Sequence, residues 1–386
     1  YDSLDKVFEA GHRPEVIFGD EAHRMAKSGP KGTKIWDFNT PIVWGTATPK
    51  TLRASLRDQG VDVPSMDDPA LFGEEVYNVS IRSLITDGYL SDFRVVIMAV
   101  ADSETARFMA QRGYVDSGGQ TMNAQDAAFY IAMEKMRDEY GVSRVITYHA
   151  TIAQTREAAK TLRKLKFRSE HIEGKTPDHE RRRILRKLET GGIVPNAHTL
   201  SEGVDIPTLD AVCFATPKRS KIDIVQSVGR ALRTDKSNPG KLGYVVLPVV
   251  VEAGGDLTER LEQSNFRDVF RVLTYHAEVD DALRAEIEEI RQGDGAQART
   301  VDDSPSRIVV NTRVPGMSQE DLAREVRLHI AHNGVAEEWW SRARRVVADW
   351  ERLGSPMKLY EKGSEFASLH AAWLTEQRSK HTAPTR

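Results

Sequence analysis

Residues 16–24 read Val-Ile-Phe-Gly-Asp-Glu-Ala-His-Arg, an apolar run that ends in two adjacent carboxylates, Asp20 and Glu21, followed by His23. A short β-branched and aromatic run of this kind is typical of a buried strand. In an open parallel α/β sheet, ligands bind beyond the carboxyl ends of the strands, where these side chains would emerge. One carboxylate can hold a hydrated Mg²⁺ while its neighbour orients a water for attack on a terminal phosphate. Acids also follow strands for structural reasons, so the pair alone leaves both interpretations open.

The composition indicates more than one domain and no membrane partner. A length of 386 residues with 40% hydrophobic content is enough for two or three cores. The formal net charge of −3 argues against a generally basic surface, although a local basic groove stays compatible with it. Cys213 is the only cysteine, which excludes an intramolecular disulfide and favours a reducing, cytoplasmic setting. No run approaches the roughly 20 apolar residues of a membrane span.

Alternating strands and amphipathic helices predict an α/β fold with parallel sheets. The predicted strands are 16–18, 41–44, 93–100, 144–147, 211–215 and 242–251. A polar turn at Asp87-Gly88 precedes the third strand, so we place a domain boundary near residue 92. The first two predicted domains are therefore 1–92 and 93–253.

Two helices of the second domain have clear sequence signals. Residues 151–164 carry apolar positions on one side and cations on the other. Residues 177–188 follow Thr176, which we predict as the N-cap, and have acids in the first turn.

Residues 221–233 are predicted to form a helix with two different faces. At 3.6 residues per turn, Gln226, Arg230 and Arg233 share one face. The opposite face is apolar: Ile224, Val225, Val228 and Leu232. The helix could pack on a sheet and present its guanidinium groups outward, where the planar fork of Arg binds phosphate oxygens bidentately. Such arginines stabilise charge on a transferred phosphoryl group, and the alternative is an ordinary solvated basic face.

Three of these segments together resemble the DEAD/DEAH-box helicases of superfamily 2. They are Asp-Glu-Ala-His at 20–23, Gly-Thr-Ala-Thr-Pro at 45–49 and Gln-Ser-Val-Gly-Arg-Ala-Leu-Arg at 226–233. The resemblance covers residues 1 to about 250. It implies two RecA-like parallel-sheet domains, the first incomplete, that close on ATP–Mg²⁺ and step along a nucleic acid.

The resemblance also implies a role for each matching side chain. Asp20 would hold the Mg²⁺ through water, and Glu21 would orient the attacking water. Gln226, Arg230 and Arg233 would complete the site from the second domain, with both arginines near the nucleotide. The chain would then be a nucleic-acid-stimulated ATPase.

A further segment, Ser-Glu-Gly-Val-Asp-Ile-Pro at 201–207, resembles the part of these proteins that lines the cleft between the domains. The resemblance places Gly203 and Asp205 near the nucleotide, whereas a plain acidic turn before the strand at 211–215 is the alternative. Coupling of nucleotide state to nucleic-acid binding is implied for a separate set: His23, Thr46 and Thr48.

Nucleic-acid contacts are implied for His149, Thr199 and Lys175. His149 lies in Val-Ile-Thr-Tyr-His-Ala at 145–150, which resembles the first motif of the second domain. A hydrogen-bonded core histidine explains this position equally well and is slightly favoured. Lys175 lies in a Gly-x-Thr turn that we interpret as structural, with a contact to the phosphate backbone.

Residues 72–77 and 85–90 narrow the resemblance. Phe-Gly-Glu-Glu-Val-Tyr and Ile-Thr-Asp-Gly-Tyr-Leu are similar to the end of the first motor domain in the restriction-enzyme-like branch, which includes type I and type III motors. Members of that branch mostly translocate on double-stranded DNA. The implied partners are therefore double-stranded DNA and subunits of restriction, defence or repair complexes.

No G-x-x-x-x-G-K-[S/T] phosphate loop occurs in the sequence. Gly-Lys-Thr at 174–176 and the glycines of 29–33 both fail the spacing. We therefore expect the loop upstream of Tyr1, in a chain truncated at its amino terminus. A second departure from the family is Pro195, which we expect to interrupt the ladder of its strand.

The β signal fades beyond residue 253. We predict a helical extension and linker at 254–317 and a helical module at 318–386. Its tryptophans alternate with arginines, an arrangement that can stack on nucleic acid but that more often forms a core. Part of this module resembles a helicase-associated repeat.

Two other functions stay open at this point. A scaffold that binds nucleic acid without hydrolysis is one, and an upstream sequence without a phosphate loop would favour it. The motor part of a restriction or defence complex is the other, and a nuclease or methyltransferase domain would favour that.

Overall fold

The structure is a computed structural model, and it describes residues 4–12, 14–25, 35, 39–47, 49, 65–66, 68–116, 119–120, 122–197, 208–216, 221–251, 283, 285, 287 and 307–312. Within these described ranges no helix is both long and apolar enough to cross a membrane.

Two short parallel strands carry the first motif. Strand β1 (Ile17–Gly19) pairs with β2 (Ile42–Trp44), with Phe18 opposite Val43. Both strands lie where the apolar runs predict them. Phe18 is 75% exposed and Val43 47% exposed, while the other face packs on a small core. The helices of this part are α1 (Leu4–Glu9), α2 (Pro69–Phe72) and α3 (Ile81–Thr86).

The rest of the described fold alternates strands and helices. The strands are β3 (Asp92–Ala101), β4 (Val115–Asp116), β5 (Gly119–Gln120), β6 (Arg144–Tyr148), β7 (Gly192–Asn196), β8 (Ala211–Phe214), β9 (Leu242–Val251) and β10 (Ile308–Thr312). The helices are α4 (Asp102–Gln111), α5 (Ala124–Tyr140), α6 (Ile152–Lys164), α7 (Asp178–Leu188) and α8 (Lys221–Ala231).

Six of these strands form one sheet in the order β10-β3-β9-β8-β6-β7. Strand β6 runs parallel to β7 and β8, and β8 runs parallel to β9. Val212 at the centre of β8 has no exposed surface, because helices cover the sheet: α8 packs on β8, and α6 and α7 pack on β7. The predicted α/β class with parallel sheets is confirmed.

Pro195 does not interrupt its strand, which corrects the expectation from the sequence. It pairs in register with Thr147 of β6, and the carbonyl of the next residue, Asn196, accepts from the N–H of His149 at 3.0 Å. In a parallel strand, alternate residues direct their backbone groups to opposite neighbours. The Pro195 carbonyl accepts from the N–H of Ile172 at 3.1 Å, on the outer edge. A backbone N–H at position 195 would therefore point to the outer edge of β7, away from β6. Its absence in proline leaves every hydrogen bond between β7 and β6 in place.

The two helices with clear sequence signals begin differently from each other. Helix α6 begins with a capping box that the sequence analysis did not predict, with Thr151 as N-cap and Gln154 as its partner. Helix α7 has Pro177 at the N-cap, so the prediction of Thr176 is wrong. The Thr176 hydroxyl instead accepts from the N–H of Glu173 at 3.0 Å and closes the preceding turn.

One strand lies in a region where the sequence predicts only helix and linker. Strand β10 (Ile308–Thr312) joins the six-stranded sheet beside β3. Ile308 and Val310 are buried, so the short apolar run 308–310 was an available signal.

The described residues divide into two compact units. The first contains those of Tyr1–Val95 and Ala132–Leu247, and the second contains those of Val96–Ile131, Pro248–Ala277 and Ala282–Arg386. The predicted domain limits at 92, 253 and 317 stay predictions.

Candidate active site

The acidic pair lies directly after β1, as the sequence indicates. The Asp20 side chain is exposed, and its Oδ1 accepts from the N–H of Glu21 at 2.8 Å. Glu21 has φ 52° and ψ 45°, in the left-handed region that costs free energy for any residue with a Cβ. This conformation turns the chain sharply into a 3-10 helix, Ala22–Arg24. Strained backbone of this kind occurs often at functional sites.

Backbone hydrogen bonds from the end of β2 hold this turn. The N–H of Gly45 donates to the carbonyl of Gly19 at 2.9 Å, and the Gly45 carbonyl accepts from the N–H of Ala22 at 3.0 Å. A Cβ on Gly19 would lie 2.3 Å from the ring of Trp44. Only glycine fits there, so Gly19 is a site-forming residue that the sequence analysis missed, although a glycine immediately before two acids was its signal.

Glu21 is the centre of a hydrogen-bonded group of side chains. Nε2 of Gln226, on α8, donates to Glu21 Oε1 at 2.8 Å. Nδ1 of His23 lies 3.2 Å from Glu21 Oε2 and 3.0 Å from the hydroxyl of Thr46. His23 is 3% exposed, so the imidazole is fixed between the acid and the hydroxyl. The structure thus brings together four residues that the sequence analysis assigned to the site from three separate motifs.

Helix α8 has the apolar face that its periodicity predicts. Ile224, Val228 and Leu232 are fully buried and Val225 is 6% exposed. Arg230, however, is itself only 7% exposed, so it does not point outward into solvent as expected. A buried guanidinium experiences less screening than an exposed one, which strengthens its interaction with a nearby anion. Arg233 is partly exposed and follows the end of the helix, instead of lying within it.

Two residues that are expected to contact nucleic acid differ in their exposure to solvent. His149 is 5% exposed, and its Nε2 lies 2.9 Å from the hydroxyl of Thr147. Burial lowers the pKa of His149 to about 4, so the ring is neutral near pH 7. This agrees with the core interpretation and not with a surface contact. Lys175 is exposed in the turn before α7.

Four residues assigned from the sequence lie outside the described part of the chain: Thr48, Thr199, Gly203 and Asp205. Their proposed positions stay predictions.

The donor set at the end of β1 suits a metal that keeps most of its own waters. Asp20 offers an exposed carboxylate, and among the residues that the structure describes no group of three or more His, Cys, Asp and Glu side chains is placed to hold a metal. Mg²⁺ commonly binds through one or two carboxylates together with substrate phosphates and waters. Asp20 therefore fits this ion better than one that needs a complete protein cage.

Comparison with known proteins finds a family model that matches the part of the chain containing Gln226, Arg230 and Arg233. Residues 130–235 match the helicase conserved C-terminal domain. This range contains β6, α6, α7, β7, β8 and α8, including Gln226, Arg230 and Arg233. It covers the part of the six-stranded sheet from which the arginine side of the site arises.

Individual relatives agree with this assignment. A probable helicase of African swine fever virus is 25% identical over 250 residues, which is 62% of this chain and 27% of the viral protein. A 51.5 kDa protein of a Lactococcus phage is 22% identical over 231 residues, which is 57% of this chain and 46% of the phage protein. The chain thus aligns with about a quarter of the length of the viral relative.

A solved structure matches the fold over the whole chain. The ATP-dependent type ISP restriction-modification enzyme LlaBIII bound to DNA has a TM-score of 0.65 and 21% identity, covering 100% of this chain and 27% of that enzyme. The fold is therefore of the parallel-sheet α/β type found in that enzyme. More particularly, residues 130–235 resemble the helicase conserved C-terminal domain, which agrees with the resemblance to helicases that the sequence motifs indicate.

Proposed function

We propose that this chain is part of an ATP-dependent motor that moves on nucleic acid, with double-stranded DNA as the track. The observation that carries the proposal is the 2.8 Å hydrogen bond between Gln226 and Glu21. It joins the helix that bears Arg230, with Arg233 just beyond the helix end, to the acid that we assign to act on a water. This contact supports the proposal that the acids and the arginines act on the same phosphoryl group.

Each residue has a role that its chemistry supports. Asp20 would hold Mg²⁺ through water, and ATP with this ion supplies the phosphoryl group that is transferred. Glu21 orients the attacking water and accepts its proton, while the amide of Gln226 keeps the carboxylate in place. Arg230 and Arg233 offset the negative charge that develops during transfer, a role that suits a planar guanidinium.

His23 and Thr46 support a coupling role. His23 Nδ1 lies within 3.2 Å of both the Glu21 carboxylate and the Thr46 hydroxyl. A change at the carboxylate alters the hydrogen bond that His23 can offer to Thr46, at the end of β2. We include Thr48, Gly203 and Asp205 in the site, and Thr199 and Lys175 in the nucleic-acid contact, from the resemblance of their motifs.

The test of the proposal is Glu21→Gln in the motor protein, with ATP hydrolysis measured in the presence and absence of double-stranded DNA. We expect turnover to fall by about 10²- to 10⁴-fold because an amide cannot accept the proton of the water. Binding of ATP and DNA should persist, because neither depends on that proton. Glu15→Gln, on the exposed segment before β1, is the matched control. Near-normal turnover of Glu21→Gln would overturn the assignment and would favour a scaffold without hydrolysis.

We further propose that the phosphate loop is supplied from outside these 386 residues, since the sequence contains no such motif. The chain alone should then hydrolyse no ATP, and adding the residues that supply the loop should restore turnover. DNA-stimulated hydrolysis by the chain alone, abolished by Glu21→Gln, would show that another segment forms the phosphate cradle. In every assay, the motor protein is this chain together with the residues that supply the phosphate loop.

A motor subunit of a restriction system is a second candidate. It is favoured by the TM-score of 0.65, over the whole chain, with a restriction-modification enzyme bound to DNA. Translocation on double-stranded DNA without strand separation would distinguish it from an unwinding enzyme.

A further inference from the structure

Helix α8 ends at Ala231, and the carbonyl groups just beyond it bind two other segments. The N–H of Ser91 donates to the carbonyl of Leu232 at 2.6 Å, and the Ser91 hydroxyl donates to the carbonyl of Arg233 at 3.3 Å. Nζ of Lys241 donates to the same Arg233 carbonyl at 2.5 Å. These bonds hold the backbone of Leu232 and Arg233 immediately after the end of the helix.

The backbone of β9 contacts the same helix end. A Cβ on Gly243 would lie 2.6 Å from the carbonyl oxygen of Ala231, so only glycine allows this approach. A Cβ on Gly240, a few residues earlier, would meet no atom of the described residues within 4 Å. The close contact is therefore specific to Gly243 and does not arise from its stretch of chain as a whole.

Ser91 and Lys241 occupy equivalent places in the sheet. Ser91 immediately precedes β3 and Lys241 immediately precedes β9, two adjacent strands. Ser91 is 7% exposed and Lys241 6% exposed, so both hydrogen bonds are shielded from water. An ammonium at the carboxyl end of a helix is also favoured by the helix dipole.

We propose that Ser91, Lys241 and Gly243 form a helix-end clamp that positions Arg230 and Arg233 for phosphoryl transfer. The proposal rests on the proposed function, because it assigns the clamp to the arginines of that site. The N–H of Arg233 donates to the carbonyl of Arg230 at 3.4 Å, so the two arginines share the last turn that the clamp holds. These clamp residues act through the arginines and are positioning residues.

The clamp also lies at the point where the chain passes between its predicted domains. Ser91 is one residue before the boundary that we place near residue 92. Its partners are the carbonyl groups of Leu232 and Arg233, just after the helix that bears Arg230.

The test compares three clamp variants with three matched controls in the motor protein. The clamp variants are Ser91→Ala, Lys241→Met and Gly243→Ala, and the controls are Ser103→Ala, Lys236→Met and Gly240→Ala. Two quantities are measured: kcat and KM for ATP, and hydrogen exchange of the backbone amides at 228–233. We expect the clamp variants to lower kcat by about 10- to 100-fold with little change in KM, since misplaced groups act on the transition state. Exchange at 228–233 should become faster, and the controls should match the unsubstituted protein.

The outcomes separate the two proposals. If the unsubstituted motor protein hydrolyses no ATP, the proposed function fails, and the role of the clamp in catalysis fails with it. If it hydrolyses ATP and the clamp variants keep normal kcat and normal exchange, the clamp alone is overturned. Ser91→Thr keeps the hydroxyl and should restore kcat. If it does not, the loss in Ser91→Ala reflects folding, and the positioning role is overturned.

Discussion

The two sides of the candidate site are built in different ways. The acidic pair follows a two-stranded sheet in which Phe18 is 75% exposed, whereas the arginine helix packs on β8, where Val212 has no exposed surface. The acid side owes its shape to backbone hydrogen bonds and to the left-handed conformation of Glu21. The arginine side owes its shape to buried apolar contacts and to groups that bind the end of a helix. The comparison teaches that a single reaction site can combine local backbone geometry with the packing of a large core.

The largest expected effect tests the arginine side. Arg230→Lys keeps the charge but replaces the planar fork by a single ammonium group. We expect kcat for ATP to fall by about 10³-fold if Arg230 acts on the transferred phosphoryl group. Arg182→Lys, exposed on α7, is the control. Equal turnover of the two variants would break the comparison, because the arginine side would then have no part in the chemistry.

A second pair of variants tests the difference in packing directly. Val212→Ala removes two methyl groups from a fully buried position and should lower the free energy of unfolding by about 2 kcal/mol. Val43→Ala, at a position that is 47% exposed, should change it by less than about 0.5 kcal/mol. Urea denaturation of the chain measures both values. Similar losses would show that β2 is covered in the folded protein as completely as β8.

The contact between the two sides is tested by Gln226→Ala. Loss of the 2.8 Å hydrogen bond to Glu21 should lower kcat by about 10-fold, the scale of one hydrogen bond to a charged group. Gln111→Ala, exposed at the end of α4, should have no effect. A double variant, Gln226→Ala with Glu21→Gln, should be no worse than Glu21→Gln alone. Additive losses would indicate that the two residues act independently.

A further prediction concerns the pH dependence of stability. Burial lowers the pKa of Lys241 from 10.5 to about 8, against the attraction of Asp210 and Asp235 and together with the repulsion of Arg144. Between pH 8 and 10.5 the unfolded chain therefore binds more protons at this lysine than the folded chain. The free energy of unfolding should rise with pH in this window, relative to that of Lys241→Met. A difference between the two proteins that does not vary with pH would contradict the lowered pKa.

The sequence predicted the strands better than the surroundings of individual side chains. The apolar runs indicated β1, β2, β3, β6, β8 and β9, and the periodicity of α8 identified its buried face. The burial of Arg230 was not predictable, because it depends on elements that pack over the helix from elsewhere in the chain. Nor was the helix end before Arg233 predictable, and the residues that bind the backbone just beyond it, Ser91 and Lys241, have no motif of their own.

The N-cap signal of helix α7 failed because two parts of the backbone compete for one hydroxyl. Thr176 has the sequence of an N-cap, but its hydroxyl closes the turn at Glu173 and leaves Pro177 as the cap. At His149, by contrast, the hydrogen bond to the Thr147 hydroxyl agrees with the core interpretation that the sequence analysis slightly favoured.

The outer edge of β7 has a consequence for the behaviour of the chain in solution. An open edge strand offers a row of backbone donors and acceptors to any other extended chain, and such edges promote aggregation. Here residues 168–172 bind part of this edge, with bridges from Ser169 to Ile193 and from Ile172 to Asn196. Pro195 removes a donor at the same edge. Strand β7 is thus a poor template for an incoming strand, which protects this side of the sheet from self-association.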